Sequence, residues 1–303
     1  SITTGTISPT SYCAGASVSI PYTTTGTFNA GNIFTAQLSN ATGGFGSPVP
    51  IGTRSSTAAG TIPGIIPAGT VAGTGYRIRV VSSNPAVTGS TNGSNLTVNA
   101  TPAVGAVSAN QTICSGNSPS SNITIASATG TIQWQIADNA GFANSLLIGS
   151  NNRTLTSAQI GPWTATRYFR AVVTSGSCAS ATSGTVTVTV SPLRTVGVSI
   201  AANPSLIVCN GTSVTYTATP TNGGSSPAYQ WKVNGTNVGT NSPTYTYVPL
   251  DDDQVSVVLT SNDACASGLL TQPILNFSWN DNTKAITDSD FGIDALSGFG
   301  RYY

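Results

Sequence analysis

The sequence contains no glutamate, no histidine and no methionine, and charged residues make up only 6% of its 303 residues. General acid–base catalysis needs groups that titrate near neutral pH, which histidine and paired carboxylates usually supply. Before position 251 the only acidic residue is Asp138, and a serine–histidine triad is impossible without histidine. Asp138 itself is better explained as a turn residue. We therefore expect a protein that is not an enzyme.

Other absences exclude further classes of protein. No apolar run approaches the length of about 18 residues that a membrane-spanning helix needs, and no basic stripe with interleaved aromatics marks a nucleic-acid surface. There is no Cys-x-x-Cys pair for a zinc site. The sequence begins at Ser1 without a signal-peptide pattern and ends in an aromatic-rich stretch, so we expect a processed chain or a piece of a longer polypeptide.

The residues that are abundant favour strands and turns. Serine, threonine and asparagine must provide the solvated surface, because charged side chains fall far below their usual share of about 25%. The length suits three sandwiches of about 100 residues each, with boundaries at Pro102 and Pro192. The predicted fold is all-β, with three tandem immunoglobulin-like β-sandwich domains in an extended rod. Their predicted ranges are 1–100, 101–192 and 193–279, followed by a tail or the start of a further domain at 280–303.

A short Cys-x-Gly motif recurs three times, at Cys13, Cys114 and Cys209. The separations of 101 and 95 residues, obtained from these positions, equal the length of one sandwich. Alternating apolar residues follow each motif, and a longer apolar strand lies late in each repeat, which is the pattern of strands with one buried face. The late strands are Tyr76–Val81, Tyr168–Val173 and Val255–Leu259.

Two further cysteines follow the second and third late strands. Because an early and a late strand lie side by side in a Greek-key sandwich, the register predicts the disulfides Cys114–Cys178 and Cys209–Cys265, with Cys13 a free thiol in the first repeat. Disulfides indicate an oxidising compartment outside the cell or in its envelope.

A tryptophan follows the cysteine in two of the repeats. Trp134 and Trp231 occupy the position of the buried tryptophan of immunoglobulin domains. The first repeat has Ala36 there, so we expect it to lack both features and to be the least stable in isolation.

Two stretches resemble the Ig-like and PKD-like modules of very large secreted adhesins from gliding and predatory Bacteroidota. The first joins Pro9–Gly15 to Ile66–Thr70 and Gly75–Val80, and the second joins Tyr229–Gly235 to Asp251–Val255. The resemblance covers about residues 1–276 and implies export by type IX secretion and a stalk or adhesive role at the cell surface. It does not choose between gliding motility and prey capture.

Two ligand classes stay open. Calcium is the one candidate cofactor, and two clusters of aspartates could supply carboxylate ligands for it. The alternative is that these aspartates are solvated turn residues. Carbohydrate has a candidate stacking platform in Trp163, set against packing in a core or between domains. The calcium candidates are Asp251, Asp252 and Asp253, and separately Asp288, Asp290 and Asp294.

The expected partners are neighbouring domains of the same long chain. The competing hypotheses are a passive stalk segment, a glycan-binding module, and a self-assembling filament or bundle. In the filament hypothesis, residues 277–303 or Ser1–Ser8 add a β-strand to another copy.

Overall fold

A computed structural model describes residues 1–149, 151–267, 274–276 and 278–279. The chain divides into two compact units, Ser1–Val190 and Ser191–Tyr303. Within the described residues, strands form every regular element except one helical turn, and buried apolar side chains form three clusters. The all-β prediction is confirmed, whereas the division into three domains stays a prediction. We call the strands around each cluster the first, second and third modules.

The strands form because apolar and polar residues alternate, as the sequence analysis expected. In the strand Ser17–Thr24, the side chains of Val18, Ile20 and Tyr22 are buried, while Ser17, Ser19 and Thr23 face solvent. The strand Arg167–Thr174 buries Phe169, Ala171 and Val173 in the same way. A period of two places one row of side chains in the core and the other in water.

The first module contains ten strands. The strand order is β5-β4-β8-β9-β1-β3-β6 in one sheet and β2-β10-β7 in a second sheet. Strand β1 joins the two halves of the larger sheet, because it pairs in parallel with β9 on one side and antiparallel with β3 on the other. Its strands are β1 (Ile2–Thr4), β2 (Ser11–Cys13), β3 (Ser17–Thr24), β4 (Ile33–Leu38), β5 (Val49–Ser55), β6 (Gly60–Ile65), β7 (Gly73–Tyr76), β8 (Ile78–Ser83), β9 (Ala86–Thr91) and β10 (Leu96–Asn99).

The second module has a main sheet with the order β12-β20-β18-β15-β16, on which β19 also pairs with β18. Two small pairs, β11-β14 and β13-β17, complete it. Its elements are β11 (Ala103–Val104), β12 (Gln111–Cys114), β13 (Ile123–Thr124), β14 (Ala128–Thr129), β15 (Thr131–Ala137), β16 (Leu146–Ile148), β17 (Thr154–Leu155), α1 (Ser157–Ile160), β18 (Arg167–Thr174), β19 (Ala181–Thr182) and β20 (Val186–Ser191).

The third module sets a sheet β22-β24-β27 and a sheet β26-β25-β28-β30 around its core, with the pairs β21-β29 and β23-β31 beside them. Its strands are β21 (Arg194–Thr195), β22 (Gly197–Asn203), β23 (Ile207–Val208), β24 (Val214–Thr221), β25 (Ala228–Val233), β26 (Thr236–Val238), β27 (Thr244–Tyr247), β28 (Gln254–Thr260), β29 (Ala266–Ser267), β30 (Ile274–Asn276) and β31 (Ser278–Trp279).

One cross-strand position is equivalent in all three modules. Ala36 pairs with Val80, Trp134 with Ala171, and Trp231 with Val257, each time between a central strand and the late strand. Both indoles are fully buried and donate their N–H to a backbone carbonyl, of Asn152 and Ser242 respectively, at 2.9 Å. This strand order and the buried tryptophan define an immunoglobulin-like fold.

The first module fills the missing indole volume with other aromatics. Ala36 is fully buried, and the ring of Phe34, two residues earlier, lies 4.6 Å from that of Tyr22 and 5.0 Å from that of Phe28 between centroids. The predicted alanine at the tryptophan position is confirmed. The ring cluster stabilises a core that has lost its largest side chain.

A tyrosine corner fixes the entry into the late strand of the first module. The hydroxyl of Tyr76 donates to the carbonyl of Val71 at 2.7 Å, five residues upstream, and the ring is 5% exposed. This is the arrangement typical of immunoglobulin sandwiches. Tyr12, equally buried at 6%, has a hydroxyl with no hydrogen-bond partner among the described residues.

The two tyrosines give a matched pair of substitutions. Tyr76→Phe removes a buried hydrogen bond and should cost about 1 kcal/mol. Tyr12→Phe removes only a buried hydroxyl without a partner, so the first module should keep or gain stability. Native-state hydrogen exchange of the Ile78 and Val80 amides measures both effects. Equal losses in the two variants would contradict the tyrosine-corner assignment.

Candidate functional site

The three Cys-x-Gly motifs fold into equivalent turns. In each, the backbone N–H three residues after the cysteine donates to the cysteine carbonyl, at 3.0, 2.9 and 3.1 Å for Cys13, Cys114 and Cys209. The glycine at the third position has a φ of 88°, 84° and 82° in turn. A positive φ at that position is what a type II turn requires, and glycine adopts it without steric cost.

Each turn lies at the end of a strand that pairs with the last strand of its module among the described residues. β2 ends at Cys13 and pairs in parallel with β10, so that Cys13 is opposite Asn99. β12 ends at Cys114 and neighbours β20, while β23 directly precedes Cys209 and pairs in parallel with β31. In the first two modules, the turns therefore sit where the chain leaves the module.

The cysteine pairing differs from the sequence prediction. Cys13, expected to be a free thiol, forms a disulfide with Cys178, and their Cα atoms lie 5.6 Å apart. Cys114 and Cys265 are also disulfide-bonded, whereas Cys209 is free and exposed. The predicted pairs Cys114–Cys178 and Cys209–Cys265 are therefore wrong.

Distance along the sandwich explains why Cys114 cannot reach Cys178. The turn after Cys114 is tied to the start of the late strand, because the N–H of Gly116 donates to the carbonyl of Trp163 at 2.9 Å, just before β18. Cys178 follows the far end of β18. That strand has 8 residues, which at roughly 3.3 Å per residue span about 26 Å. A disulfide needs Cα atoms within about 7 Å.

The Cys13–Cys178 disulfide lies in a packed junction between the first and second modules. Asn99 donates through Nδ2 to the Ser11 hydroxyl at 2.9 Å and to the Tyr12 carbonyl at 3.3 Å, which fixes its side chain beside Cys13. A Cβ added at Gly176 would clash with the side-chain amide of Asn99. The loop that carries Cys178 can approach this closely only because residue 176 is glycine.

Gly176→Ala should therefore weaken the junction. The residue has a φ of 52°, which costs an alanine about 1 kcal/mol, and the methyl group would displace Asn99 from its two hydrogen bonds. We expect the concentration of dithiothreitol that opens Cys13–Cys178 to fall about tenfold, measured by alkylation and mass spectrometry. Gly26→Ala is the control, since Gly26 has a φ of 89° and open space around its Cβ position. An equal shift in the control would contradict the junction contact.

Two surface clusters repeat between the first and second modules. Arg79 donates through Nε to Gln37 at 2.9 Å, and its guanidinium stacks 4.4 Å from the centroid of Phe45. In the second module Arg170 repeats this with Gln135 at 2.7 Å and Phe142 at 4.1 Å. Sequence analysis missed these clusters, although the in-step glutamines, arginines and phenylalanines were the signal. The arginines cover aromatic rings, so the rings do not form open stacking platforms.

The calcium candidates of the third module have different roles. Asp253 is buried, and its carboxylate accepts from Asn234 Nδ2 at 2.7 Å, from the Leu250 N–H at 2.8 Å and from the Tyr247 hydroxyl at 3.1 Å. Asp251 and Asp252 are exposed. Within the described ranges, no three acidic, thiol or imidazole side chains cluster closely enough to hold a metal ion. Asp288, Asp290 and Asp294 lie outside the described residues.

Burial explains why Tyr247 serves as a donor to this carboxylate. Burial, and then the neighbouring Tyr216 and Asp253, raise the pKa of the Tyr247 hydroxyl above its usual value of about 10. Because the folded-state pKa is raised, the contribution of this hydroxyl to the stability of the third module is complete below the usual pKa value. It is lost as the pH rises beyond that value. Asp253 is thus the acceptor at the centre of a structural network.

Asp253→Asn should destabilise the third module by about 2 kcal/mol. One carboxylate oxygen becomes an NH₂ donor, and Asn234 cannot turn its amide to match, because its own Oδ1 accepts from the Gln254 N–H at 2.9 Å. Asp252→Asn makes the same charge change at an exposed neighbour and should be neutral within about 0.5 kcal/mol. Urea-dependent hydrogen exchange of the peptide 254–260 compares the two, and equal effects would show that charge alone matters.

Trp163 is partly buried against the core of the second module. Its indole N–H donates to the carbonyl of Ile160 at 2.7 Å, and the guanidinium of Arg167 lies 4.7 Å from its ring centroid. The ring edge and one face are therefore engaged within the module. A sugar would have to displace Arg167 to stack on that face, so the geometry favours the packing role over carbohydrate binding.

The N-terminal strand is already paired on both sides. Ile2–Thr4 bonds to β3 and β9 of its own module, so the version of the filament hypothesis that uses Ser1–Ser8 has no free strand edge there. The version that uses residues 277–303 falls almost entirely outside the described residues. Among the described residues, no helix has both the length and the apolar character needed to cross a membrane.

The fold and the junction define a class of protein, an assembly of immunoglobulin-like sandwich modules joined by a disulfide. Residues 103–192 match the family model described as "Domain of unknown function (DUF8696)". No curated protein matches the sequence significantly.

Solved structures similar to this chain include fibronectin(III)-like modules of CbhA from Clostridium thermocellum. They are 15% identical, with 61% of this chain and 98% of theirs covered and a TM-score of 0.25. A marsupial T cell receptor is 11% identical, covering 92% of this chain and 99% of its own, with a TM-score of 0.36. Domains A168–A170 of titin are 15% identical, with 88% and 94% covered and a TM-score of 0.32. At these scores the immunoglobulin-like assignment rests on strand order instead.

Proposed function

We propose that this chain is a non-catalytic, load-bearing segment of an extracellular surface adhesin or fibre. The observation that carries the proposal is the Cys13–Cys178 disulfide, which joins two modules and spans a sequence separation of 165 residues. A bridge inside one sandwich stabilises that sandwich. A bridge between two sandwiches fixes one to the next, which suits a part that transmits tension.

The position of the disulfide determines the path of the load within the unit Ser1–Val190. Tension that enters through Ser1 reaches Cys13 after two short strands, crosses the disulfide to Cys178, and leaves along β20. Residues 14–177 hold β3–β18 and lie inside the covalent loop. The parts of both cores that residues 14–177 form are therefore shielded from the pulling force, because covalent bonds carry it past them.

The chemistry of the chain supports an extracellular place for this segment. Disulfides persist in oxidising environments such as the cell surface, and the surface relies on serine, threonine and asparagine instead of charge. The resemblance to modules of secreted Bacteroidota adhesins supports attachment as the role of the parent protein, with type IX secretion as its export route. The target surface is left open by this proposal.

Stretching single molecules tests the load path. Both chains compared should carry Ser in place of Cys114, Cys209 and Cys265, so that Cys13–Cys178 is the one crosslink. Pulled from its ends, the oxidised chain should extend about 550 Å less than the same chain with Cys13→Ser and Cys178→Ser, at roughly 3.3–3.6 Å for each of the 165 residues.

A second measurement on the same molecule guards against a misfolded variant. Reductant added while the chain is held stretched should release the same length of about 550 Å in one step. Equal extension of the bridged and unbridged chains, with no step on reduction, would show that this disulfide does not carry load.

A further inference from the structure

The turn at Cys209 is built like the two turns whose cysteines are bonded. Its carbonyl accepts the same hydrogen bond, from Thr212 at 3.1 Å, and Gly211 has the same positive φ of 82°. It follows a strand, β23, that pairs in parallel with β31, the last described strand of its module, as β2 pairs with β10. The repeat that places Cys13 and Cys114 in disulfides thus places Cys209 in an equivalent position.

The cysteines of this chain offer Cys209 no partner. The sequence has five cysteines, and the other four are all disulfide-bonded. Cys209 is nevertheless exposed, whereas Cys13 is half-buried beneath the loop of the second module. The equivalent turns at Cys13 and Cys114 are covered and their cysteines are bonded. The exposed thiol of Cys209 therefore indicates a junction whose partner module is missing.

We propose that Cys209 forms an inter-module disulfide with a cysteine outside these 303 residues, in a further sandwich of the same kind. The Cys13 junction specifies that cysteine. It follows the end of a late strand by a few residues, as Cys178 follows β18 and as the disulfide-bonded Cys265 follows β28. The partner is a module continuing the series of bridged sandwiches, in the same parent protein or in a second copy of it.

The bond forms by thiol–disulfide exchange. The Cys209 thiolate attacks one sulfur of a disulfide-containing oxidant of the cell envelope. The other sulfur of the oxidant leaves as a thiolate, which gives a mixed disulfide. The partner cysteine, as a thiolate, then attacks the sulfur of Cys209 in the mixed disulfide, which forms the new disulfide and releases the second sulfur of the oxidant as a thiolate. The two cysteines lose two electrons and two protons in total, and the oxidant is reduced to a dithiol.

The test is peptide mapping of the native protein, isolated from its source without reductant after free thiols have been alkylated. We expect the Cys209 peptide to be unalkylated and crosslinked to a peptide from outside this sequence in which the cysteine follows a strand-like apolar run by a few residues. The 303-residue chain prepared alone should instead take up one alkyl group, at Cys209. An alkylated Cys209 in the native protein, a small-molecule cap, or a bond to one of the other four cysteines would overturn the proposal.

A shifted thiol provides the matched control in the native host. Cys209→Ser combined with Ser205→Cys keeps one exposed cysteine on the same segment but removes it from the turn. We expect that thiol to stay alkylatable, and efficient pairing with the same partner would show that the turn does not select it. The proposal extends the proposed load-bearing function to a further junction, and its failure leaves the stretching test of Cys13–Cys178 unaffected.

Discussion

The pairing of a cysteine-terminated strand with the last strand of its module is the constraint on which the rest of this structure depends. Parallel pairing of β2 with β10 sets Cys13 opposite Asn99, at the exit of the first module. From there a disulfide can reach only the neighbouring module. Within the same module, the cysteine position that follows the late strand lies beyond the far end of that strand. The glycine in the turn, the hydrogen bonds of Asn99 to Ser11 and Tyr12, and the close approach at Gly176 all follow from this placement.

Stability within each module comes from a different source. The second and third cores centre on a fully buried tryptophan whose indole N–H is satisfied by a backbone carbonyl. The first core has Ala36 at that position and packs three aromatic rings nearby, with a tyrosine corner at the entry to β8. The third adds the Asp253 network. Burial of aromatic area is common to all three, while the polar support is local to each.

The sequence analysis predicted the strands well because they depend on local alternation. The three repeats, the late strands and the alanine that replaces tryptophan could all be read from residue patterns. Disulfide pairing could not, because it depends on which end of a sandwich each cysteine occupies. Register between modules is a long-range property. Cys114 precedes an early strand and Cys178 follows a late strand of one module, which suggested an internal bond. The two cysteines instead lie toward opposite ends of β18, a strand that spans about 26 Å at roughly 3.3 Å per residue.

The side chains of the candidate sites were harder to predict for the same reason. Asp251, Asp252 and Asp253 look alike in sequence, but only Asp253 points into the protein, where three donors surround it. Trp163 stands in a Gly-Pro-Trp stretch typical of an exposed loop, and its cover, Arg167, lies four residues further along the chain. Contacts of this kind arise from tertiary packing.

The covalent loop that Cys13 and Cys178 close has a consequence for resistance to proteolysis. Exposed loop tips are the preferred sites of proteolytic nicking, and the loops of both modules lie between these two cysteines. A single cut anywhere in residues 14–177 leaves the two fragments joined through the disulfide. Within this segment, a protease must cut outside the loop to sever the chain, so the junction protects the continuity of the chain against proteolysis.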